Sequence, residues 1–199
     1  GNLSGGTNGT NQNTITGNLV NPTAVQQTAT YTITPSTANG QCTGQPFTLL
    51  VNVSPSPFIP NQTATICSGA NFNSNLTAAI PTSILPNGTT FTWATPASNP
   101  LGAITGGIAG NAQNNISQVL TNTSNTVGTL TYTLTPSSNV GQVCVGNPFS
   151  YTVTINPTPT ITNQTATICS GNTFTISPTN GAGNTVPSGT TYQWTFAPN

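Results

Sequence analysis

An all-β fold, made of tandem Greek-key β-sandwich units in an elongated array, is what this 199-residue sequence predicts. Apolar residues alternate with hydroxylated ones at a period of two, which marks half-buried strands. The chain duplicates itself at a spacing near one hundred residues, about the size of one sandwich domain and too long for a solenoid coil. No apolar stripe at helical spacing competes with these signals.

The duplication is plainest in NQTATICSG, which stands at 61–69 and again at 163–171, an offset of 102. At an offset of 101, LSGGTNGTNQNTI (3–15) matches ITGGIAGNAQNNI (104–116), and TYTITPSTANGQ (30–41) matches TYTLTPSSNVGQ (131–142). CTGQPFTLLVNVSPSP (42–57) then aligns with CVGNPFSYTVTINPTP (144–159), and PNGTTFTW (86–93) with PSGTTYQW (187–194). Proline-spaced SPSP (54–57) and NPTP (156–159) read as extended, semi-rigid boundaries. They divide the chain into the C-terminal part of one repeat (1–57), a complete repeat (58–158) and the N-terminal part of the next (159–199). A stretch of a longer array is therefore expected.

Within the complete repeat, ATIC (64–67), FTWA (91–94) and ISQVL (116–120) are short strand candidates. TLTYTLTP follows, with Leu130, Tyr132 and Leu134 on one face and Thr129, Thr131, Thr133 and Thr135 on the other. SSNVGQVCVGNP is a turn-rich hairpin connection, and Phe149, Tyr151, Val153 and Ile155 alternate in the strand after it. In the third segment FTISP (174–178) and TYQWTF (191–196) are the matching strands. Trp93 and Trp194, Tyr31 and Tyr132, and Phe47 and Phe149 are assigned to the core, where large aromatics of β-domains normally lie. Tyr132 and Tyr31 stand where a tyrosine corner would fall.

Composition restricts function severely, because the chain has no Asp, Glu, Lys, Arg or His. General acid–base catalysis, Ser-His-Asp and Cys-His devices and carboxylate-bound calcium or magnesium all need side chains that are missing. Nucleic-acid binding lacks the cations that neutralise phosphates. The chain reads as non-enzymatic, without cofactor or metal. Thr, Asn, Ser and Gln dominate, yet regularly spaced β-branched and aromatic residues argue against disorder. Apolar runs such as Leu49–Val51 are too short to insert in a membrane, and no signal peptide opens the sequence. With no side chain titrating between about pH 3 and pH 8, stability and contacts there should ignore pH and salt.

Four cysteines remain, Cys42, Cys67, Cys144 and Cys169, with no CxxC pair to suggest a metal site. Within the complete repeat Cys67 would bond Cys144, the preferred reading because one bridge per domain is common in extracellular sandwiches. Across the boundaries Cys42 would bond Cys67 and Cys144 would bond Cys169. Buried free thiols are the third possibility. A bridge would imply an oxidising, extracellular compartment.

The succession ICSG, an FTI-type strand, GTTYxW, TYTxTP and CxGxPFxxTVxxNPTP resembles the PKD-like and immunoglobulin-like repeats of giant bacterial surface adhesins. It looks most like the SprB-type gliding-motility adhesins of flavobacteria, secreted by the type IX system. That resemblance implies an extracellular, cell-surface filament used in attachment or gliding, in which this segment is stalk or adhesive surface. Its implied partners are neighbouring repeats of the same chain, identical filaments alongside, and surface polysaccharide or an abiotic surface. PKD domains with a WDFGDG-type strand differ from this chain, in which ATP follows Trp93 and TFAP follows Trp194, so no calcium role carries over. A laterally packed filament or sheath is the alternative, and ice binding by a Thr131, Thr133 and Thr135 row is a remote one.

Overall fold

The computed structural model describes residues 2–37 and 42–197, and among them every regular element is a strand. β1 (Gln27–Ile33) and β2 (Phe47–Val53) form an antiparallel pair near the start of the chain. The remaining strands lie between Gln62 and Asn156: β3 (Gln62–Cys67), β4 (Asn71–Asn75), β5 (Thr90–Trp93), β6 (Ala97–Asn99), β7 (Ile104–Thr105), β8 (Gly110–Gln113), β9 (Asn115–Val119), β10 (Thr121–Asn122), β11 (Gly128–Val140), β12 (Gln142–Val145) and β13 (Phe149–Asn156). They fold as an immunoglobulin-like β-sandwich.

β11 is the spine. Its first half, from Gly128 to Leu134, pairs antiparallel with β13, while Thr129 to Thr131 pair with β6 on the other edge. From Thr135 onward it changes partners, meeting β5 and then β12. β3 adds to the free edge of β13 in parallel, with Tyr151 opposite Gln62 and Asn156 opposite Cys67. β8 pairs with β5, and β4–β9 and β7–β10 are separate small ladders.

Alternation along β11 builds the core: Leu130, Tyr132 and Leu134 are buried, and Val153 and Ile155 of β13 face the same interior. Phe72, Phe91, Trp93, Ile116, Leu120 and Phe149 join it, with Ile59, Leu76 and Ile104 at its margins. Each such aliphatic or aromatic side chain contributes about 1.5–3 kcal/mol by leaving water. Trp93 meets Tyr132 edge-on with ring centroids 6.3 Å apart, and Phe91 meets Phe149 likewise at 6.0 Å.

One polar knot crosses this interior. The Tyr132 hydroxyl donates to Gln118 Oε1 at 2.8 Å, and the Ile108 amide donates to the same oxygen at 3.1 Å. Gln118 Nε2 and Trp93 Nε1 both donate to the Ile108 carbonyl, at 3.0 and 2.9 Å. Tyr132 is therefore not a tyrosine corner, since its hydroxyl finds a side chain on β9 rather than nearby upstream backbone. Burial pushes its phenol up to about 12, because the phenolate would have to leave water.

Other expectations need correcting. Trp93, Tyr132 and Phe149 are core residues, but Phe47 is 50% exposed, Trp194 is 87% exposed and Tyr31 is only partly buried. Neither 174–178 nor 191–196 forms a strand. The cause is the same in both places: β3 needs β13, β4 needs β9 and β5 needs β11 for their ladders. Segment 159–197 holds only counterparts of β3 to β5, whereas β1 and β2 are the counterparts of β11 and β13 without the strands that cover them.

Local chemistry repeats where long-range cover does not. Asn122 Nδ2 donates to the Thr126 and Ile155 carbonyls while its Oδ1 accepts from the Ser124 amide and hydroxyl. Asn21, at an offset of 101, does the same with Val25, Val53 and Thr23. The Thr105–Thr121 pairing recurs as the Ser4–Val20 bridge, and the Gly146 amide bond to the Pro136 carbonyl recurs as Gly44 to Pro35.

Candidate functional site

Among the described residues no three His, Cys, Asp or Glu side chains lie together. Two clefts exist. The first, of about 310 Å³, is lined by Ile15, Leu19, Tyr31, Leu49 and Val51, and the second, of about 230 Å³, by Ala166, Ile168, Phe174 and Ile176. Every one of those side chains except Ile176 has its counterpart packed in or against the core of the central span, for example Leu120 for Leu19, Tyr132 for Tyr31 and Phe72 for Phe174. Both clefts are uncovered sandwich interiors, and Thr16 and Tyr31 are the polar side chains on the first.

The built surface lies instead at the junction 54–57. Pro55 and Pro57 are fully buried there, although linker prolines normally run through solvent. They are covered by the β11–β12 hairpin, which reaches back over the preceding segment. The buried Ser138 hydroxyl donates to the Pro55 carbonyl at 2.9 Å. At the hairpin turn Gly141 adopts φ +79° and lies against the Gln26 side chain and Ser54 Oγ, where a larger residue has no room. Gly146 lies equally close to the Pro57 carbonyl. The segment read as a semi-rigid linker is thus clamped. Pro157 and Pro159, the counterparts at the far end, are half-buried and exposed.

The cysteines bear on this junction, and the structure brings no two of them together: all four are free thiols. Cys67 is level with Asn156 at one end of β13, whereas Cys144 is opposite Ser138, beyond the other end of β13. At about 3.3 Å per residue along the strand the two are more than 20 Å apart, against the 7 Å limit for Cα atoms in a disulfide. The Cys67–Cys144 bridge is therefore ruled out by topology. Cys42 lies in the β1–β2 connection, away from the junction-facing end of that pair, and does not meet Cys67. Cys169 does not meet Cys144 either.

Outward-facing threonines form a second surface, with Thr63, Thr152 and Thr131 in one row across β3, β13 and β11, and Thr65, Thr154 and Thr129 in the next. The row Thr131, Thr133, Thr135 is not a flat array, because only Thr133 is well exposed and β11 changes partners at Thr135.

The profile of the PKD-like domain matches residues 1–57 and 64–159. The chain belongs to the PKD-like domain family. Neither curated proteins nor solved structures return a match to it. PKD-like domains are commonly extracellular and typically non-catalytic. Among the described residues no helix is long and apolar enough to cross a membrane. The clamp at 54–57 was missed in the sequence, where SSNVGQVCVGNP looked like a simple connection. The signal was available in its two glycines, spaced to meet Ser54 and Pro57.

Proposed function

We propose that this chain is a non-catalytic stalk segment of an extracellular filament: consecutive PKD-like modules, joined end to end, in a large cell-surface adhesin of the gliding-motility type. The observation that carries the reading is the clamp, in which the β11–β12 hairpin of the central span buries Pro55 and Pro57 of the segment before it. A join of that kind fixes the angle between neighbours and makes a thread stiff. A binding module on a flexible tether has no use for such a join. The uncharged surface supports the same role, since nothing in the join depends on ion pairs that seawater or acid would weaken. Neighbouring copies of the module are the first partners, and polysaccharide or a solid surface is what the filament would grip.

Antibodies raised against residues 58–158 test the assignment. Labelling of intact, unpermeabilised cells on thin projecting threads is expected. Labelling only after permeabilisation overturns it, and ordered lateral bundles would favour a sheath instead.

A further inference from the structure

We propose that the cysteine ending β3 of one module is bonded to the hairpin cysteine of the module that follows, so that Cys67 pairs with the next copy's counterpart of Cys144. The proposal rests on reading the chain as consecutive modules.

Cys67 is exposed at the exit end of the central span. It is held against the outgoing linker, because the Ser68 amide donates to the Asn156 carbonyl at 2.8 Å and the Thr158 hydroxyl donates to the Ser68 carbonyl at 3.0 Å. Cys144 is at the entry end, opposite Ser138 across β11 and β12. Cross-strand partners share a face of the ladder. Ser138 uses that face to reach the Pro55 carbonyl, so Cys144 lies on the side of the incoming linker. The two linkers correspond residue for residue: Ser54, against which Gly141 packs, is the counterpart of Asn156, and Pro55 is the counterpart of Pro157. Repeating the 54–57 junction at 156–159 therefore sets a hairpin on Pro157 and Pro159, which are not buried as Pro55 and Pro57 are. Its cysteine then stands beside the same linker against which Cys67 is held. Strands lie about 4.8 Å apart, and a disulfide joins Cα atoms about 4.4–6.8 Å apart.

The chemistry is thiol–disulfide exchange. One thiolate attacks a small disulfide such as oxidised glutathione and expels one glutathione thiolate; the second cysteine thiolate then displaces the other. Two protein thiols become one S–S bond, and the oxidant takes up the two electrons as two thiols. Each bridge staples a clamped linker, so tension passes between modules through a covalent bond as well as through packing.

The test uses the full chain with residues 57–158 duplicated in place, in a Cys42→Ser, Cys169→Ser background. It is refolded in a glutathione redox buffer and mapped without reduction after chymotrypsin digestion, since trypsin has no cleavage sites here. A cross-linked peptide joining the first copy's Cys67 to the second copy's Cys144 is expected. Cys67→Ser in the first copy, or Cys144→Ser in the second, should reduce it at least tenfold. Cys144→Ser in the first copy should leave it intact. Circular dichroism confirms that each variant is folded. A bond within one copy, or four thiols rather than two that stay titratable in the folded oxidised chain, overturns the proposal. Because succession of modules is imposed by the duplication, that result would leave the filament assignment to be judged by cell labelling alone.

Discussion

Tyr132 is the one buried acid in a protein without ordinary charges, and it gives the stability an alkaline edge. Its phenol is pushed up to about 12 by burial, against 10.0 for an ordinary tyrosine. The folded state thus holds a proton that the unfolded chain releases from about pH 10, and stability falls wherever the unfolded state binds fewer protons. The contribution is fully present below about pH 10 and is lost as pH rises through about pH 12. Two units correspond to roughly 3 kcal/mol, at about 1.4 kcal/mol per unit. Urea unfolding under reducing conditions, followed by tryptophan fluorescence at steps from about pH 7 to pH 12, should show a flat plateau and then this loss. Tyr132→Phe is the control. It removes one neutral hydrogen bond at a cost of about 1 kcal/mol, and Gln118 Oε1 keeps the Ile108 amide as donor. Its curve should lie below wild type at neutral pH, cross it near about pH 11, where the wild-type loss reaches about 1 kcal/mol, and lie above it by about pH 12. If the phenylalanine variant loses stability over the same alkaline range as wild type, burial of Tyr132 is not the cause.

Three further outcomes follow from packing. Gly110→Ala places a Cβ against the Trp93 ring and should cost about 1–3 kcal/mol, with a red-shifted Trp emission. Asn122→Ala leaves the Ile155 carbonyl buried without its donor and should cost about 1–3 kcal/mol in urea unfolding. Ser138→Ala should change unfolding of the central span by less than about 1 kcal/mol, yet loosen the clamp, seen as faster proteolysis near Ser56.

The sequence revealed β11 and β13 because their inward positions alternate, Leu130, Tyr132, Leu134 and then Phe149, half-buried Tyr151, Val153 and Ile155. It hid β4, β6, β8 and β12. Asn71–Asn75 and Gly110–Gln113 carry almost no apolar side chains, and they are strands only because β9 and β5 offer them ladder partners. The aromatic assignments divide along the same line. Phe149 is buried because Phe91 stands opposite it, while Phe47 has no such partner and lies half in solvent. The cysteine pairing failed for a geometric reason. Spacing along the chain does not tell that the strand carrying Cys67 runs parallel to the last strand, and it is this parallel register that sends Cys67 and Cys144 to opposite ends.

That same register explains how a chain without charge closes the clamp at 54–57. Because β3 and β13 run in one direction, the sandwich is entered at one end and left at the other. The β11–β12 hairpin, antiparallel to that path, returns to the entry end and meets the linker. What it meets is proline, a hydroxyl donor and a backbone carbonyl, so the join is made by burial and neutral hydrogen bonds. Among the described residues no buried side-chain polar atom lacks a partner, with Asn21, Asn122 and Gln118 closing the turns that ion pairs close elsewhere. Ion pairs at such a junction would be worth about 0–1 kcal/mol each and would weaken with salt. Amide and hydroxyl contacts have no such dependence, so stiffness at 54–57 should be unchanged from fresh water to brine.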